Sequence, residues 1–165
     1  MLPAKPNNGG DDTRGALAEL IEADGDRGRF LACTLFARAN GIADPIYVHA
    51  KVAVVDDRWL TIGSANLNEH SLFNDTEMNV VAQDPGLART ARVRLWAEHL
   101  QLPEEQVAAA EATTLVDEAW RPTAAEQLRR LRAGLAPTHR LLELPGVSRR
   151  AGRLLGPLNG LLADG

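Results

Sequence analysis

The chain has 165 residues, 45% of them hydrophobic and 24% charged, enough for one domain that buries roughly 70% of its unfolded surface. Its formal net charge of −4 leaves no basic footprint and argues against a nucleic-acid partner. A single cysteine, Cys33, excludes an internal disulfide. No apolar run approaches the ~20 residues of a membrane span, and the opening residues lack the basic and apolar regions of a signal peptide.

Residues 6–14 hold Pro6, two Asn, two Gly and Asp11-Asp12, a turn-rich loop that reads either as a lid or as a solvated connector. Either aspartate can cap a helix to about Ala23, with Leu17, Leu20 and Ile21 on one face and Gly25 after its end. Residues 29–37 read as a strand apolar almost throughout, hence central in its sheet, with Cys33 as a small buried hydrophobe. After a loop over 38–45 come two further apolar, β-branched runs. One holds Ile46, Val48, Val52, Val54 and Val55; the other holds Trp59, Leu60 and Ile62. They read as buried strands joined by a turn at Asp56-Asp57.

Residues 67–75 are polar with two apolar anchors, a loop or short helix in which His70 reads as an ordinary loop histidine. A strand over 77–83 follows. Asp84 and Pro85 then open a helix, as N-cap and first-turn residue. Its apolar face is Leu87, Ala88, Ala91, Leu95, Trp96 and Leu100, leaving Arg89, Arg92 and Arg94 solvated and His99 at its C-terminal end. From Pro103 the composition shifts to Ala, Glu, Leu and Arg. Helices are expected over 104–120 and 123–134, broken at Arg121-Pro122, with Thr123 and Glu126 forming a capping box and Gly134 and Pro137 ending the second. Beyond lie short apolar pieces at Leu141-Leu142, Leu154-Leu155 and Leu161-Leu162, expected to cover the catalytic layer. Arg149, Arg150 and Arg153 offer a membrane-surface patch as a minor alternative.

The chemistry is concentrated between His49 and Asn66. Its polar positions read H-x-K, four residues, D, six residues, G-S-x-N: His49, Lys51, Asp56, Gly63, Ser64 and Asn66. Residues two apart on a strand share a face, so His49 and Lys51 are expected to point the same way. An imidazole beside an ammonium at the rim of an apolar sheet is costly unless it serves a ligand, and the ligand these types suit is a phosphate. Attack on phosphorus needs a nucleophile, an acid for the leaving oxygen and fixed positive groups for the non-bridging oxygens. His49 can be nucleophile or acid, Lys51 is a point charge, Asn66 offers an amide donor and Ser64 a hydroxyl. Asp56, at the strand end, is expected to pin the turn.

This pattern resembles the HKD signature of the phospholipase D superfamily, with each position filled. The resemblance continues through Asn74-Asp75-Thr76-Glu77-Met78-Asn79, and more weakly at Leu2 to Gly9 and around Leu144-Pro145-Gly146-Val147. It implies that His49, Lys51, Asp56 and Glu77 are the catalytic set, with Glu77 orienting His49, and that Lys51, Ser64 and Asn66 hold phosphate. It further implies a phosphohistidine intermediate, no metal or other cofactor, a phospholipid substrate, and a second HKD half as partner. Such proteins carry two halves, so this chain is expected to be the C-terminal half of a bacterial phospholipase D or cardiolipin-synthase-like protein. A homodimeric one-motif phosphodiesterase or nuclease, an incomplete fragment and a non-catalytic scaffold remain the alternatives. The expected fold is α/β, one half of a phospholipase D-like fold with a mixed sheet flanked by helices. Residues 1–102 are expected to form the catalytic half and 103–165 a mostly helical extension. A cytoplasmic or membrane-peripheral location follows from the same reading.

Overall fold

The computed structural model describes Met1, Leu17 and residues 19–39, 42–66 and 70–144. The loop over 6–14 with its capping aspartates, the motif-like opening, the side chain of His70 and the tail from Pro145, including Arg149, Arg150 and Arg153, lie outside the described residues. The chain divides into two compact units, Met1–Val48 with Arg121–Gly165, and His49–Trp120. The compositional boundary at Pro103 falls inside the second.

In the first unit the apolar run does what its composition demands. Ala32 to Phe36 are all buried, and strand β1 (Cys33–Ala39) is the middle strand of an antiparallel sheet ordered β2-β1-β6. Its partners are β2 (Ile42–Pro45), with Phe36 opposite Pro45, and β6 (Leu141–Glu143), with Leu35 opposite Leu141. Burial pushes the Cys33 thiol up to about 12, so it behaves as an inert hydrophobe. Residues 19–24 form helix α1. Its expected apolar face is only partly used: Leu17 packs with Ala32 and Leu144, while Leu20 and Ile21 are exposed. Asp24 accepts the backbone N–H of Arg29 at 2.9 Å and of Phe30 at 3.3 Å, fixing the entry to β1.

Helix α5 (Arg121–Arg132) packs on β6, with Leu128 against Phe36 and Leu142. It begins at Arg121, so Thr123 lies inside it and the expected capping box is not formed. Glu126 instead accepts from Nε and Nη2 of Arg129, each at 2.7 Å. The π turn at Val116–Trp120 runs directly into α5 with no non-helical residue between, so the break expected at Arg121-Pro122 is not formed. Gly134 ends the helix as expected, at φ +71, with Leu135 N–H closing on Arg130 C=O at 2.9 Å. Gln127, buried, accepts from Thr138 N–H at 2.7 Å and His139 N–H at 3.2 Å and thereby aims the chain into β6.

The second unit is built on an antiparallel sheet ordered β3-β4-β5: β3 (Lys51–Val55), β4 (Trp59–Gly63) and β5 (Asn79–Ala82). Helix α2 (Pro85–Leu100) starts as expected, Asp84 accepting Leu87 N–H at 3.0 Å, and packs on β3 and β4. Its buried face is Ala88, Arg92, Val93, Ala97 and Leu100. Leu87, placed on that face by periodicity, is exposed, and Arg92, expected in solvent, is 8% exposed. The reason is a bidentate ion pair: Arg92 Nε and Nη2 donate to the two Asp57 oxygens at 2.6 and 2.7 Å. Its guanidinium also stacks over Trp96, 4.9 Å from the ring centroid. Trp96 and His99 both meet Trp120 edge-on, at 5.4 and 5.8 Å. Helices α3 (Glu104–Ala109) and α4 (Ala112–Leu115) and a π turn (Val116–Trp120) complete the unit. The single helix expected over 104–120 is thus interrupted at Ala110, which has extended dihedrals.

The strands of this sheet are far less buried than their apolar composition predicts. Leu60 is buried, but Val52, Val55, Ile62, Val80 and Val81 are exposed. Apolar runs report what a strand can bury, and α2 covers only part of a three-stranded sheet.

Candidate phosphate site at the end of the β3–β4 hairpin

The register places the motif residues. Lys51 lies opposite Gly63, and Gly63 opposite Asn79, so one row across the three strands reads Lys51, Gly63, Asn79 on a common face. The row sits at the open end of the hairpin. His49 precedes β3 by two residues and is exposed, outside the assigned strand. It was expected within a strand. The ladder starts at Lys51 because β4 ends opposite it, at Gly63, where the chain turns away.

Asp56 is at the other end. It and Asp57 form the hairpin turn, both with φ of 52°, and Arg58 N–H closes on Val55 C=O at 3.0 Å. Two successive positive φ values suit the right-handed twist of a hairpin, and aspartate tolerates them better than most residues. Five residues of strand, at ~3.3 Å each, put Asp56 about 16 Å from Lys51. It is a turn residue. The carboxylate that anchors this turn is its neighbour Asp57, through Arg92, and Arg92 holds the Asp57 carboxyl below its ordinary range.

The turn after Gly63 is laced to the start of β5. Ser64 N–H donates to Met78 C=O and Met78 N–H donates to Ser64 Oγ, both at 3.0 Å. The Ser64 hydroxyl in turn donates to Glu77, and Ala65 N–H donates to Asn79 Oδ1 at 3.2 Å. A Cβ at position 63 would overlap the Asn79 carboxamide and the Met78 carbonyl, so the motif glycine is required by close approach. Ser64, expected toward phosphate, therefore has its hydroxyl engaged with Glu77. Glu77, expected to orient His49, has Ser64 and Ser71 as hydrogen-bonding neighbours. Ser64, then Ser71, then the Lys51 charge hold its carboxyl below the usual glutamate range. Ser71 is buried in a π turn (His70–Asn74) beside the site. Asn66 follows this laced turn, half-buried.

Lys51, Ser64 and Glu77 thus gather at one end of the hairpin, where His49 and Asn66 flank them in the chain, and Asp56 stands apart. Sequence reasoning missed Asn79, Ser71 and the Asp57–Arg92 pair. Asn79 was within reach of it, since an asparagine inside a β-branched strand is out of character.

Residues 28–99 match the family described as cardiolipin synthase, PLD-like domain. This stretch is similar to the phospholipase D superfamily. Phospholipase D alpha 1 of Cynara cardunculus is 32% identical over 124 residues, 64% of this chain and 15% of that protein. Phospholipase D beta 2 of Arabidopsis thaliana is 33% identical over 111 residues, 54% of this chain and 12% of its own length. Phospholipase D B of Dictyostelium discoideum is 36% identical over 89 residues, covering 42% and 7% respectively. The chain therefore spans a small part of these phospholipase D relatives. No helix among the described residues is long and apolar enough to cross a membrane.

Proposed function

We propose that this phospholipase D-like domain is the C-terminal half of a two-motif enzyme that cleaves or transfers phosphatidyl groups. The observation that carries the reading is the meeting of Lys51, Ser64 and Glu77 at the end of the hairpin that begins just after His49. The histidine of the second half attacks phosphorus, forming a P–N bond as the bond to the head-group oxygen breaks. His49, as imidazolium, gives its proton to that leaving oxygen. It then takes a proton from water or an acceptor alcohol, whose oxygen displaces the second histidine. Products are phosphatidate, or a new phosphatidyl ester, and the head-group alcohol. Lys51 and Asn66 balance the charge on the non-bridging oxygens. Glu77, kept anionic by its neighbours, suits an imidazolium that gains and loses its proton.

A lipid substrate is supported by apolar side chains beside these polar groups: Phe73 and Met78 are 80% and 78% exposed, and Leu72 is exposed with them. They suit contact with acyl chains and a peripheral place on a membrane. The test is hydrolysis of short-chain phosphatidylcholine and of an aryl phosphodiester by the complete assembly, with His49→Ala. A positioned acid is worth about 10²–10⁴ in rate, and a loss of that order is expected for both substrates. Near-normal turnover in the variant overturns the assignment.

A further inference from the structure

We infer that Asn79 is a further phosphate-holding residue, its side-chain NH2 donating to a phosphoryl oxygen held between it and Lys51; the inference rests on the phosphate reading of this site. The register puts Asn79 two strands from Lys51, on the same face, with Gly63 between. Two strand spacings are about 10 Å, a gap that a lysine side chain and a phosphate group fill together. The Asn79 carboxamide folds over Gly63 into the space any other residue would fill with its Cβ. Its orientation is fixed by chemistry. Ala65 N–H can only donate, so the carboxamide oxygen faces it and the two N–H donors are turned elsewhere. Among the described residues that NH2 makes no hydrogen bond, and the residue is exposed. An uncommon strand residue, held over a glycine by its oxygen, presents two donors, unused among the described residues, on the face that carries the lysine.

The experiment is titration of the chain with inorganic phosphate, followed by NMR of the Ala65 and Asn66 amides, for wild type, Lys51→Ala, Asn79→Ala and Asn79→Asp. Loss of one hydrogen bond to a charged group weakens binding by about tenfold, and Asn79→Ala is expected to show it. Asn79→Asp keeps the oxygen for Ala65 but exchanges the NH2 for a negative oxygen. Its Ala65 amide shift is expected to stay near wild type while phosphate binding falls at least as far as in Asn79→Ala. Wild-type binding in either Asn79 variant, with binding lost in Lys51→Ala, overturns the role of Asn79 and leaves the phosphate site standing. Wild-type binding in Lys51→Ala removes the phosphate site itself, and Asn79 with it.

Discussion

Glu77 shows how neighbours rather than burial prepare a carboxylate. Burial acts against its charge, but the Ser64 hydroxyl, the Ser71 hydroxyl and the Lys51 ammonium outweigh it and lower the pKa. The shift has a defined sign. A carboxyl depressed in the folded state favours folding above its unfolded value, ordinarily 4.5, and that contribution is lost as pH falls through the depressed value. Ser64 ranks first among the causes, so Ser64→Ala is expected to raise the Glu77 pKa toward the ordinary value. Carbon-13 NMR titration of the side-chain carboxyl reads this directly. An unchanged pKa in the variant would mean that Ser64 holds the turn but not the charge.

The hairpin needs a second anchor at the end away from the site, and the Asp57–Arg92 pair supplies it. Breaking a bidentate, charge-assisted contact of this kind costs about 2 kcal/mol, which for a chain of this size lowers Tm by roughly 4–8 °C. Asp57→Asn is the cleaner probe, because asparagine also accepts the positive φ of this turn. Asp57→Asn and Arg92→Ala are each expected to lose that amount, and the double variant little more; additive losses would show that the two side chains act separately. The pair also predicts an acid limb. Arg92 lowers the Asp57 pKa from 3.8, so stability is lost as pH falls below about 4, and Asp57→Asn should flatten that limb. Arg92 itself marks a boundary of what the sequence discloses. The start of α2 was legible because Asp84-Pro85 is a local signal, and so was Gly134 at the end of α5. That one of three arginines on α2 turns inward was not, because its partner is 35 residues away and periodicity counts every arginine as solvated. Likewise His49-x-Lys51 and Gly63-Ser64-x-Asn66 were legible by type and spacing. The lacing of Ser64 by Glu77, Met78 and Asn79 required the register between β4 and β5.

Completeness of the site is a question for the whole molecule. In the first unit Ala32 to Phe36, Leu141 and Leu142 are buried, whereas the sheet carrying the motif exposes Val52, Ile62, Val80 and Val81. The chain also corresponds to only 7–15% of the phospholipase D relatives described above. On the proposed two-histidine mechanism, the source of the second histidine is experimentally separable. If the other half is a different polypeptide segment, the chain alone is expected to turn over no phosphodiester at any concentration. Activity should appear when a separate HKD half is added. If a second copy supplies it, specific activity must rise with chain concentration, and mixing with His49→Ala protein must be more than proportionately damaging. Each site would need two intact histidines, so an equal mixture keeps about one quarter of the activity, from statistical pairing of copies that associate alike. We expect the first outcome. The quarter-activity result would make the chain a self-completing dimer. A value of one half would mean that each copy works with its own His49 alone, and three quarters that one His49 suffices at a shared site; either would mean that the two-histidine mechanism is wrong.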